Sequence, residues 1–171
     1  MNKKQTLARG HKIAQQTLEL RKQLWPNVTN DHLWLRKERK GFTTVPRTMP
    51  LIARIVDELS PKGRPASQAY LSLWCRVHDE CVVTVNNELE MAYEAGFGGE
   101  RAVSTWKARM RTLQDNGFID GKAGSKGEWN YVLLFNPYQT IKGHFQKGNV
   151  QLQSYTALLA RAQEIGASDL I

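Results

Sequence analysis

Glycine cuts the stretch 82–135, VVTVNNELEMAYEAGFGGERAVSTWKARMRTLQDNGFIDGKAGSKGEWNYVLLF, into short elements whose order leaves few architectures open. Val82, Val83 and Val85 make a β-branched run, the pattern of a strand over 82–85. Asn86 and Asn87 are good N-caps for a helix that continues to Ala95. Gly96-Phe97-Gly98-Gly99 ends that helix, because glycine accepts the left-handed backbone that closes a helix C-terminus. The next helix, 100–116, carries Val103, Trp106, Met110 and Leu113 at spacings of 3, 4 and 3, one narrow inward stripe. Gly117 stops it, and Phe118-Ile119 can start a strand. Residues 120–127 hold three Gly and two Lys as a polar hairpin tip, and 129–135 returns as the partner strand.

Two helices precede this stretch. Residues 50–59 place Leu51, Ile52, Ile55, Val56 and Leu59 inward, with Pro50 in the first turn, where no amide donor is needed. Residues 66–79 carry Tyr70, Leu71, Leu73, Trp74 and Val77, with Cys75 expected inward among them. This most aromatic helix should be the scaffold of the core. A helix, a strand, two helices joined by a Gly turn and a basic two-stranded wing resemble the winged helix-turn-helix DNA-binding superfamily over 66–135. The likeness rests on the order of elements, on the Asn116-Gly117-Phe118-Ile119 junction between long helix and wing, and on the wing's composition. It implies a winged helix-turn-helix core with a small antiparallel β-sheet; with the N-terminal basic helices and the C-terminal amphipathic helix that their own residues suggest, the expected fold is mainly α.

A chain of 171 residues accommodates one core domain with extensions. The expected divisions are a basic helical arm (1–41), an extended linker (42–50), the core (51–138) and a C-terminal extension (139–171). Charge is uneven along them. Residues 1–40 hold ten Lys/Arg against three acids, while 81–117 hold four against five. The formal +8 therefore belongs mostly to the arm, and nucleic acid is the leading partner for such an arm through phosphate neutralisation. Within it, 5–25 has the pattern of an amphipathic helix. Leu7, Ala14, Leu18 and Trp25 share a face that Ile13, Leu20 and Leu24 widen, and Pro26 stops it. Lys3, Lys4 and Arg9 lie mostly off that stripe. A second short helix is expected over 31–40. Its last turn would gather Arg36, Lys37, Arg39 and Lys40, more cations than a helix C-terminus requires.

At the other end, 139–149 is expected to be polar and irregular. Residues 151–165 then make an amphipathic helix with Leu152, Tyr155, Leu158, Leu159, Ala162 and Ile165 on one face. Either terminal amphipathic helix could pair with a second copy to make a homodimer, and packing on its own domain is the alternative.

The main site is the helix 100–116. A helix in the major groove needs short hydrogen-bonding side chains and a few arginines to reach base edges. Arg101, Ser104, Thr105, Ala108 and Thr112 oppose the apolar stripe, with Lys107, Arg109 and Arg111 flanking. Lys122, Ser125 and Lys126 on the wing would, by the same resemblance, lie near the backbone of double-stranded DNA. Glu88, Glu90, Glu94 and Glu100 stand against this. The helix dipole accounts for the acids in first turns, but not for Glu94, which would repel phosphate if it faced the duplex.

Cys75, His78 and Cys81 lack a fourth ligand for zinc unless Asp79 or a distant His serves, and a buried free cysteine is the commoner outcome at Cys75. No nucleophile constellation stands out, so neither catalysis nor a metal or cofactor is expected. No apolar run approaches a membrane span. The basic N-terminus is followed by no apolar signal region, which points to the cytoplasm. The expected work is non-catalytic binding of duplex DNA, as a transcriptional regulator or a replication or partition accessory of a mobile element. The alternative is an interaction module that binds a protein, its arm contacting RNA or another acidic partner.

Overall fold

The computed structural model describes residues 3–170, with side chains described over 12–170. The chain forms two compact units, Met1–Phe42 and Thr43–Ile171.

In the first unit, α1 spans Lys3–Leu24, and Pro26 lies just past its end. Leu7, Lys3, Lys4 and Arg9 lie outside the described side chains. Ile13, Ala14, Leu20, Leu24 and Trp25 are exposed and Leu18 is half-buried, so most of the described part of the apolar stripe stands open to solvent. The expected helix over 31–40 does not form. A 3-10 turn, Asn30–His32, and a second turn at 36–38 take its place. So short a helix is marginal unless a face is packed, and Leu33 and Leu35 are only half-buried. Side chains hold the segment instead, Arg21 to Asn30 at 3.1 Å and Asn30 to Glu38 at 3.3 Å. A helix C-terminus therefore cannot account for Arg36, Lys37, Arg39 and Lys40.

The second unit is mainly helical with one small antiparallel sheet. Its elements are α2 (Met49–Glu58), α3 (Ser67–Arg76), β1 (Val82–Thr84), α4 (Glu88–Glu94), α5 (Ala102–Asp115), β2 (Ile119–Gly124), β3 (Gly127–Leu134), α6 (Pro137–Gln146) and α7 (Leu152–Ile165). The strands lie in the order β1-β3-β2, with Val83 opposite Val132 and Ile119 opposite Leu134. These four are buried, whereas Val82, Tyr131 and Leu133 face outward, as the period of two requires. The strands run further toward the tip than expected, so only Ser125 and Lys126 turn the hairpin.

The core gathers the inward faces of all these elements. Ile52 and Ile55 of α2, Tyr70 and Leu73 of α3, Met91 of α4 and Trp106 of α5 are fully buried. Phe118 meets the Tyr70 ring edge-on at 5.4 Å between centroids. Cys75, expected inward, is exposed, as is Cys81. In α3 the buried positions are Ala69, Tyr70, Ser72 and Leu73, which turns residue 75 to the solvent side.

The segment 139–149 is not irregular. Most of it belongs to α6, which Asn136 caps by accepting from the Tyr138 amide at 3.0 Å and which has Pro137 in its first turn. Tyr138 and Ile141 are buried and Phe145 packs against the core, a 3-and-4 spacing that tertiary burial made decisive. α7 packs back on its own unit. Leu158 and Ala162 are fully buried, and the rings of Phe145 and Tyr155 stack at 3.9 Å. The Glu58 carboxylate accepts from the Gln151 amide and from Ser154 Oγ, capping α7 from the end of α2.

Candidate nucleic-acid interface

The presentation of α5 begins with α4. Asn87 Oδ1 accepts from the amides of Leu89 and Glu90 at 3.0 and 3.3 Å, fixing the start of α4. The left-handed Gly96 (φ 80°) and Gly99 (φ 76°) then bend the chain into α5. Trp106, Met110 and Leu113 are buried as their spacing predicts. Ala102 joins them, while Val103 is only half-buried, so the stripe begins one residue earlier than expected.

The far end of α5 is held by α6. His144 Nε2 donates to the Asn116 carbonyl at 2.9 Å, and Thr140 Oγ1 donates to the Gly117 carbonyl at 2.9 Å. The hairpin is tied to the same helix. Gln114 Oε1 accepts from the Gly121 amide at 2.8 Å, beside the buried Trp129. These polar contacts set the angle of α5, and hydrophobic spacing gives no sign of them.

Arg101 and Ser104 are exposed on the outward face, with Thr105, Ala108 and Thr112 half-buried beside them. Ser104 Oγ donates to the Arg101 carbonyl at 2.9 Å and Thr112 Oγ1 to the Ala108 carbonyl at 3.1 Å, so both hydroxyls retain acceptor capacity. Exposed acids flank this face at its two ends, Glu100 and Asp115.

The flanking cations divide into two groups. Lys107 pairs with Glu88 at 2.8 Å, Arg111 with Glu128 at 3.0 Å and Lys122 with Asp120 at 3.0 Å. Arg109 instead lies over the Phe97 ring, 5.7 Å from its centroid. Burial, and then the charge of Arg64, holds its guanidinium below the usual value. Ser125 and Lys126 are exposed at the hairpin tip. Arg36, Lys37, Arg39 and Lys40 are exposed in the first unit, Arg36 with its guanidinium 5.6 Å from the Phe42 ring.

The acids of α4 have a local explanation. Arg76, at the end of α3, donates to both Glu90 and Glu94, and Glu88 is the partner of Lys107. Glu94, which the dipole could not account for, is thus one arm of a clasp between α3 and α4. Sequence reasoning missed Arg76, Arg64 and Glu128, because each acts across elements and carries no local signal. Comparison with known proteins finds no matching family model, no similar curated protein and no similar solved structure.

Proposed function

We propose that this chain binds duplex DNA without catalysis, with α5 reading bases and the hairpin tip and N-terminal arm contacting phosphates. The observation that carries the reading is the outward face of α5. It presents an Arg101 that forms no ion pair among the described residues, and short side chains at Ser104, Thr105, Ala108 and Thr112, while all three carboxylates of α4 beside it are paired with cations. That combination suits major-groove recognition, where short polar side chains and arginine meet base edges. Support also comes from the order α3, β1, α4, α5, β2, β3 with the sheet arranged β1-β3-β2, the arrangement of a winged helix-turn-helix. A regulator, or an accessory of replication or partition, would use such a surface in the same way. Selection from a random duplex library at about 150 mM salt, which screens purely electrostatic contacts, tests it. An enriched motif is expected. Retention only at low salt, with no motif, would overturn sequence reading by α5.

A second reading, binding of a protein, has an observation of its own. Leu89 (58% exposed) and Tyr93 (78% exposed) stand outward on α4. They border a shallow hollow with Phe97, Gly98 and Gly99. On that reading, Leu89→Ala with Tyr93→Ala removes the function and leaves DNA binding untouched.

A further inference from the structure

The two flanks of α5 differ in charge. On the hairpin side, Lys107 and Arg111 are already engaged by Glu88 and Glu128. On the other side runs the loop joining α2 to α3. It is pinned at both ends. The Asp57 carboxylate accepts from the Ser67 amide and hydroxyl at 2.9 and 2.7 Å, and Asn116 Nδ2 donates to the Leu59 carbonyl at 3.3 Å. The loop therefore lies along the flank on which Thr105, Arg109, Thr112 and Asn116 recur at helical spacing. Within it, the Arg64 amide bonds to the Pro61 carbonyl at 2.9 Å, and Gly63 takes the left-handed conformation (φ 73°) that turns the chain there.

Arg64 in this loop and Arg109 on this flank of α5 both lack a counter-ion among the described residues. Among the same residues Arg109 Nε is buried with no hydrogen-bond partner. Burial, and then the charge of Arg64, disfavours the protonated form of Arg109. A partly desolvated cation with no carboxylate partner and a donor left unsatisfied costs free energy. An anion at the outer nitrogens supplies the missing counter-charge, and guanidinium forks match a phosphate in shape and charge. We infer that Arg64 and Arg109 together clamp one backbone phosphate on the α2–α3 side of α5. Of the cations on α5 itself, those on the hairpin flank, Lys107 and Arg111, are neutralised by carboxylates, so the phosphate grip of the helix comes from the α2–α3 side.

This inference rests on the DNA-binding reading, and the test separates the two. Binding of the full chain to an enriched duplex and to an unrelated one is followed across a salt series. Arg64→Ala is the principal variant, since Arg64 is an exposed loop residue whose loss leaves the core intact. Arg109→Lys is the second, keeping the charge but not the fork. Arg64→Ala should weaken both duplexes alike and lower the slope of log K against log salt by about 1, the signature of one lost phosphate contact. Arg109→Lys should weaken binding while leaving the slope in place. Lys107→Ala and Arg111→Ala should lower the slope much less than Arg64→Ala. Wild-type binding with an unaltered slope and affinity in Arg64→Ala would overturn the clamp alone. Equal slope losses in Lys107→Ala and Arg64→Ala would overturn the asymmetry. Failure of the wild-type chain to bind any duplex would overturn the reading beneath it.

Discussion

The guanidinium of Arg76, at the end of α3, closes on the carboxylate of Glu94 in α4, Nε donating to Oε2 at 2.7 Å. A terminal nitrogen of the same guanidinium also reaches Glu90. One cation from the scaffold helix thereby takes up two of the three carboxylates that would otherwise oppose a nucleic acid.

That clasp predicts a pH signature. Hydrogen bonding from Arg76 holds the Glu94 carboxyl below its ordinary 4.5, with burial opposing and the charge of Arg76 adding to the effect. A depressed carboxyl contributes stability that is fully present above about 4.5 and is lost as pH falls through the folded-state value. Its side chain is 38% exposed, so solvent screening limits the contribution to about 0.5 kcal/mol. Urea midpoints of wild type and Glu94→Gln should differ near neutral pH and converge in acid. A gap that persists in acid would assign the loss to packing.

Arg101 separates base reading from phosphate attraction. Arg101→Ala should cost about 1–3 kcal/mol on an enriched duplex, the worth of one good base contact, and little on an unrelated duplex. Deleting residues 1–42 should weaken both duplexes together. Competition binding with the two duplexes decides it, and equal losses on both for Arg101→Ala would make Arg101 a phosphate contact.

Leu158 tests whether the last helix belongs to the core. It is fully buried, so Leu158→Ala should cost about 2–5 kcal/mol and shift the whole cooperative transition. Tryptophan fluorescence and far-ultraviolet circular dichroism should report one coincident shifted midpoint. An unchanged midpoint by fluorescence would mean that α7 unfolds separately from the core tryptophans.

Gly121 is required by space rather than by backbone freedom. A Cβ there would lie 2.4 Å from two ring carbons of Trp129, which is buried. Gly121→Ala should destabilise by about 1–3 kcal/mol, the usual cost of overpacking. The tryptophan emission should shift as the ring is displaced. A thermal midpoint equal to wild type would show that the hairpin yields freely.

The local sequence by itself determined most of the elements of the second unit. Period-two alternation in β1 and β3, the 3-and-4 spacing of Trp106, Met110 and Leu113, the Asn87 cap and the glycines at 96 and 117 act between near neighbours. Their effect is therefore written in short windows. The same windows misled over 31–40, where helical composition found no face to pack, and over 139–149, where polar residues hid the burial of Ile141. Only the tertiary structure decided which charges remain available. Arg76, Glu88, Glu128 and Arg64 lie 18, 19, 17 and 45 residues from the partners or neighbours that give them meaning: Glu94, Lys107, Arg111 and Arg109. Ion pairing depends on distance in space, and separations of that size along the chain are closed only when the core has folded.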